Sequence, residues 1–142
     1  MESERRPTGG PVLGTVVRSR DGQAREYLGI PFDLLASGER LMVTRMRFRS
    51  GMVAAPHSHP HEQAGYVVSG RYRQTIAGVT HQLAPGDSYV VPGGVEHSME
   101  VLEDGFVIDV FTPPREEFRT EPDGPRPSHS YPRRPRRPSG GP

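Results

Sequence analysis

A chain of 142 residues has room for one hydrophobic core and not comfortably for two, so one site is sought. With 17 Gly, 16 Pro and a hydrophobic fraction of 32%, it argues against a helical bundle and for short strands joined by turns, while the absence of cysteine excludes disulfides and thiolate ligands and leaves nitrogen and oxygen donors for any transition metal. The formal net charge of +1 is unevenly placed: residues 121–142 carry +3 and leave −2 on the remainder, which excludes a basic nucleic-acid-binding domain.

The opening residues, Met1-Glu-Ser-Glu-Arg-Arg-Pro, lack the apolar stretch of a secretion signal, and no run approaches the roughly 20 apolar residues that cross a bilayer. A soluble cytoplasmic protein without a membrane partner is the expectation. Residues 1–10 and 121–142 are too poor in apolar side chains to repay ordering, so both are read as disordered tails around a domain at 11–120. The run Tyr131-Pro-Arg-Arg-Pro-Arg-Arg-Pro138 is read as solvated and given no role. All 18 basic residues are Arg, which points to coding bias rather than function. Val12-Leu-Gly-Thr-Val-Val17 has the composition of an edge strand shared across a homodimer.

Further along, apolar and polar residues alternate at the two-residue period of half-buried strands. Met42, Thr44, Met46 and Phe48 share one face, opposite Arg45, Arg47 and Arg49. Strands follow at Gly65–Val68, Arg71–Ile76, Val79–Leu83, Ser88–Val91, His97–Leu102 and Phe106–Phe111, separated by Gly- and Pro-containing turns such as Ser69-Gly70 and Pro85-Gly-Asp87. Short strands this closely spaced predict an all-β, double-sheet jelly-roll β-barrel.

Five of the six histidines, at 57, 59, 61, 81 and 97, fall in this strand-rich region. In Pro56-His-Ser-His-Pro60 the two imidazoles at i and i+2 project to one side of an extended segment and can converge on one ion. Gln63, past the bend at Pro60, offers a carbonyl oxygen, and His97 opens a strand on which Met99 and Val101 share its face; if that face looks into a barrel, His97 does too. His61 is read as a bend or pocket-rim residue and His81 as structural. His57, His59, Gln63 and His97 are thus candidate ligands for one divalent ion: zinc, nickel, iron, manganese or copper.

The spacings Gly51-x5-His57-x-His59-x3-Gln63-x6-Gly70 and Gly86-x5-Pro92-x-Gly94-x2-His97 resemble the two motifs of the cupin superfamily, with Gln where the first usually has Glu and Val101 where the second often has Asn. Three neutral imidazoles and a neutral amide leave the ion's charge of about +2 uncompensated, which favours Lewis-acid chemistry over a higher oxidation state.

After the second motif, Asp109 interrupts an apolar strand, a costly place to bury a carboxylate without purpose. If Asp109 and Phe111 line the barrel, Phe106, Ile108 and Val110 are expected to pack between the sheets. Asp109 is then a general acid-base, Phe111 a pocket wall and Arg115 a rim clamp for a substrate carboxylate. The other placement of Asp109, toward solvent or against an arginine, stays open. Residues 30–119 also resemble the small cupins of pectin and alginate breakdown, which convert unsaturated uronates to linear keto sugars. That resemblance implies a three-His, one-Gln metal with Asp109, Phe111 and Arg115 taking part in the reaction. A small-molecule enzyme performing metal-assisted proton transfer on a uronate-like or polyketide-like enol is the leading expectation. The alternatives are a metal-dependent dioxygenase and a non-catalytic small-molecule-binding cupin.

Overall fold

The computed structural model describes residues 14–119. A short 3-10 turn, Ser19–Asp21, leads into ten strands: β1 (Gln23–Tyr27), β2 (Ile30–Ser37), β3 (Met42–Phe48), β4 (Val53–His57), β5 (Glu62–Val67), β6 (Arg71–Ile76), β7 (Val79–Leu83), β8 (Ser88–Val91), β9 (His97–Glu103) and β10 (Gly105–Thr112). A single helical turn, α1 (Glu116–Arg119), follows. The strands form a six-stranded sheet, β1-β2-β3-β10-β5-β8, and a four-stranded sheet, β4-β9-β6-β7, in which every pairing is antiparallel. This is the double-sheet jelly roll that the alternating pattern predicts.

Three expected strands, β6, β7 and β8, have the bounds read from the sequence because turn residues close them on both sides, and β3 covers the alternating run at Met42–Phe48 but stops short of Arg49. The Ser69-Gly70 turn ends with Gly70 at φ +92°, a conformation L side chains rarely adopt, and a Cβ there would lie 2.5 Å from the Tyr72 hydroxyl. Three strands, β1, β2 and β4, went unread. β2 carries Pro31 and a buried Asp33, and β4 contains Pro56 and a register shift between Ala54 and His57, so neither alternates. Asp33 is tolerated because Arg45 from β3 approaches it at 2.6 Å and Arg47 at 3.1 Å.

Inward side chains stack in three levels. At one end Ile30, Phe48, Val67, Tyr72, Leu83, Met99, Val101 and Val107 form an apolar cluster; at the other Phe32, Leu34, Met42, Phe111 and Phe118 form a second. Along β10 the inward residues run Val107, Asp109, Phe111, from the first cluster through a polar level to the second. Buried polar residues Thr44, Gln63, Gln74, His97 and Asp109 lie on inward faces between the clusters.

One expectation needs correction. Phe106, Ile108 and Val110 do not pack between the sheets: the barrel lumen is itself the inter-sheet space, so residues alternating with Asp109 face outward and are only half-buried. Phe106 is covered there by the Arg47 guanidinium, 5.0 Å from its ring centroid. The edge strand expected at 12–17 would pair across a homodimer, and within the single chain no such strand is seen in its described part. Residues 12 and 13 lie outside the described residues, and 14–17 form no strand, with Val16 73% exposed. Both expected tails, 1–10 and 121–142, lie outside the described residues.

Candidate active site

Both sheets deliver side chains to the polar level. The four-stranded sheet brings His57, the last residue of β4, directly opposite His97, the first of β9. From the six-stranded sheet, β5 and β10 set Gln63 opposite Phe111, with Asp109 two residues along. His59 follows β4 in the bend created by Pro60 and is buried. One ring nitrogen from each of His57, His59 and His97 lies within 4.8 Å of the others. Donors about 2.1 Å from a shared ion stand roughly 3 to 4 Å apart, so a slight inward closure would make the cluster a ligand set.

Hydrogen bonds prepare the same three rings. The Nδ1 of His57 is 2.7 Å from the Ala55 carbonyl, that of His97 is 2.9 Å from Val95, and that of His59 is 3.0 Å from His61. A carbonyl accepts, so each Nδ1 carries the proton and each Nε2 keeps its lone pair. The Nε2 of His97 is buried with no hydrogen-bond partner, as a nitrogen reserved for a cation would be. Burial lowers the pKa of His57 and His97, and burial followed by the charges of Arg115 and His97 lowers that of His59 to about 4. All three are neutral bases at pH 7.

Gln63 faces two ways. Its Oε1 lies 3.1 Å from the His59 Nε2, and its amide also bonds the Asp109 carboxylate. An ionised carboxylate only accepts, so the NH2 must face Asp109 while the oxygen faces the histidines. A glutamate here would present a second negative charge to Asp109. The residues present therefore fit a divalent ion, held by three nitrogens and one amide oxygen.

Asp109 is 4% exposed, which resolves the open placement in favour of the interior. Burial raises its pKa from 3.8 to about 6, partly offset by hydrogen bonds from Tyr89 and Gln63 and by the charge of Arg115. Phe111 is buried 5.8 Å, ring to ring, from His59. Arg115 is not on the rim. It is 3% exposed in the pocket wall, its guanidinium 4.2 Å from the Phe118 centroid and 4.3 Å from that of Tyr27, with Glu117 accepting from its Nε at 3.0 Å. His61 neighbours His59 but stands outside the cluster, and His81 is exposed on β7.

The site opens into a pocket whose lining includes His57, Gln63, His97, Asp109 and Arg115 among mostly apolar neighbours. Sequence reasoning missed several contributors. Tyr27 and Phe118 form its wall, Tyr89 donates to Asp109 Oδ1 at 2.7 Å, and Gln74 is buried beside them. Arg25, from β1, fastens α1 by donating to the carbonyl of Phe118 at 2.7 Å and that of Arg119 at 3.2 Å, groups that a helix end leaves without internal partners. For Tyr89 there was one signal, Gly65, a glycine in a strand pattern, which marks close approach.

Comparison with known proteins agrees with this geometry. The model of the family described as "Cupin domain" matches residues 44–112. The pectin degradation protein KdgF of Dickeya dadantii (strain 3937) is 34% identical over 92 residues, covering 63% of this chain and 84% of that protein. Among solved structures, KdgF from Halomonas sp. superposes with a TM-score of 0.68 at 33% identity, covering 74% of this chain and 98% of that one. An RmlC-like cupin from Shewanella frigidimarina NCIMB 400 gives 0.69 at 30% identity, covering 75% and 96%. With three histidines converging inside a double-sheet jelly roll and relatives that it spans almost end to end, the chain belongs to the cupin family.

Proposed function

We propose that this chain is a metal-dependent enzyme that moves a proton within a small enol- or carbonyl-bearing carboxylate, of the unsaturated-uronate kind. The observation that carries the reading is the buried carboxyl of Asp109, set through Gln63 beside a three-histidine cluster and sharing its pocket with Arg115. A divalent ion held by His57, His59, His97 and Gln63 would supply Lewis acidity toward a substrate oxygen.

The chain's own residues do the rest. Arg115, packed against the adjoining rings of Tyr27 and Phe118 and held by Glu117, has a fixed guanidinium that would pair with a substrate carboxylate. Phe111, Phe118 and Tyr27 exclude water from that end of the pocket. Asp109, with a pKa near 6, takes the hemiacetal O–H proton as that carbon becomes a carbonyl and the ring C–O bond breaks to leave an enolate, and delivers the proton to the enolate carbon that loses the double bond. Substrate composition is unchanged, so no oxidant is consumed. The apolar outer face around Tyr66, Val68 and Val90, each about half exposed, suits pairing of two copies and belongs to the same proposal.

The test is turnover of 4,5-unsaturated galacturonate, freshly released from pectate by a lyase, with oxygen uptake followed in parallel. Loss of the unsaturated chromophore without oxygen uptake, reduced about 100-fold or more in Asp109→Ala and in the His57→Ala, His59→Ala double variant, is expected. Turnover that consumes oxygen stoichiometrically would place the chain among oxygenases instead.

A further inference from the structure

We propose that Tyr89 is a positioning residue that holds the Asp109 carboxylate in its working orientation, and that Gly65 is the gap through which it does so. The inference rests on the proton-transfer role given above to Asp109.

Tyr89, Gly65 and Asp109 form one cross-strand row: β8 pairs Tyr89 with Gly65, and β5 pairs Gly65 with Asp109. The outer members of such a row sit two strand spacings apart, about 9.6 Å, and an ordinary side chain on the middle strand would separate them. Here nothing does. A Cβ on Gly65 would fall 2.1 Å from the Tyr89 Cζ, 2.4 Å from its hydroxyl and 2.6 Å from Asp109 Oδ1, so the space of the missing side chain is filled by the Tyr89–Asp109 hydrogen bond. Gly65 has no positive φ to explain it. Close approach is the reason it is glycine.

The direction of the contact is also determined. Gln74, from β6 on the opposite sheet, is 2% exposed and hydrogen-bonds Tyr89, while its own Oε1 has no partner. Its NH2 is therefore the group that meets the phenol, and a phenol oxygen accepting from Gln74 turns its own proton to Asp109. Gln74 donates to Tyr89, and Tyr89 donates to Asp109 Oδ1 at 2.7 Å. With Oδ1 engaged by Tyr89 and Gln63 donating to the same carboxylate, the carboxyl cannot rotate freely. Both sheets thereby fix one carboxyl plane relative to the histidine cluster, as efficient transfer requires.

The test compares Tyr89→Phe, Gly65→Ala and Asp109→Asn with the parent protein, each loaded with zinc. Tyr89→Phe should keep the parent's metal content and fold, lose roughly 10- to 100-fold in kcat on 4,5-unsaturated galacturonate, and leave KM within about twofold, because Arg115 and the pocket walls still bind. Its crystal structure should show the Asp109 carboxyl turned or split between two orientations. Gly65→Ala retains the hydroxyl but displaces the ring, so the same kcat loss there separates placement from phenol chemistry. The Tyr89→Phe, Asp109→Asn double variant should be no slower than Asp109→Asn alone. Parental kcat in Tyr89→Phe, an unmoved Asp109, or losses that multiply in the double variant would overturn the proposal. If the parent itself does not turn over the uronate, the proposed substrate fails and the orientation of Asp109 in Tyr89→Phe alone decides the role of Tyr89.

Discussion

The Nε2 of His59 and the Oε1 of Gln63 stand 3.1 Å apart, and neither has a hydrogen to give the other: the His59 proton is on Nδ1, facing the His61 carbonyl, and the Gln63 hydrogens face Asp109. Two buried acceptors this close repel until a cation lies between them. The polar level of the barrel is thus built around a positive charge, and each polar contact to His59, Gln63 and Asp109 is oriented accordingly.

Metal binding should accordingly stabilise the fold. Elemental analysis is expected to find about one divalent ion per chain after loading, and an ion supplied at about 100 times its Kd should add about 2.7 kcal/mol to stability, seen as a raised thermal midpoint that a chelator reverses. The His57→Ala, His59→Ala variant should show neither. A chelator-insensitive midpoint together with substoichiometric metal in the loaded parent would count against the cluster as a metal site.

Asp109 makes stability depend on pH in a definite direction. Its native pKa of about 6 lies above the ordinary 3.8, so the native state binds more protons between these values, and its contribution is fully present below about 3.8 and lost as pH rises through about 6. A rise of two units corresponds to about 3 kcal/mol. In metal-free protein, Asp109→Asn should match the parent near pH 4 and exceed its stability by about that amount above pH 7, since the buried histidines titrate alike in both. Denaturant melts at a series of pH values measure this. A stability difference that does not vary with pH would show that the carboxyl is not the buried acid described.

Replacing Gln63 by glutamate should have the opposite effect on the metal-free protein. Gln63→Glu substitutes a second carboxylate for the amide that donates to Asp109, and like charges at this range disfavour joint ionisation. Its stability, compared with the parent, should fall as pH rises from 5 to 8, and added divalent ion should recover most of the loss. An unchanged pH dependence would mean that residue 63 does not face Asp109.

Arg25 acts on the pocket from outside it. Arg25→Ala removes the donors that hold the Phe118 and Arg119 carbonyls and releases the turn carrying Phe118, against which Arg115 stacks. A loss of about 2–4 kcal/mol in unfolding free energy is expected, with KM for the uronate rising more than kcat falls. If KM stays at the parental value, α1 is not a wall of the substrate pocket.

How far the chain could be read without coordinates varied with how local the cause was. β3 alternates, and β6, β7 and β8 are short runs closed by turn residues, so short-range physics specifies them. β2 and β4 depend on partners far along the chain: Asp33 is acceptable in a strand only because Arg45 and Arg47 meet it, and Pro56 only because β4 shifts register there. Arg115 was expected on a rim because it follows two prolines. Tyr27 and Phe118, 88 and 3 residues away in sequence, are what enclose it.

The candidate ligands His57, His59, Gln63 and His97 were legible because their spacing within two short motifs is itself the signal, and the alternation around Asp109 restricted it to one of two faces. Which face looks inward, which way the Gln63 amide points, and what holds Asp109 were decided only when β8, β5 and β10 came side by side. A sequence records parity along a strand and spacing within a loop; a hydrogen bond that crosses the empty position at Gly65 exists only once three strands are in register, and nothing local to Tyr89 or Asp109 announces it.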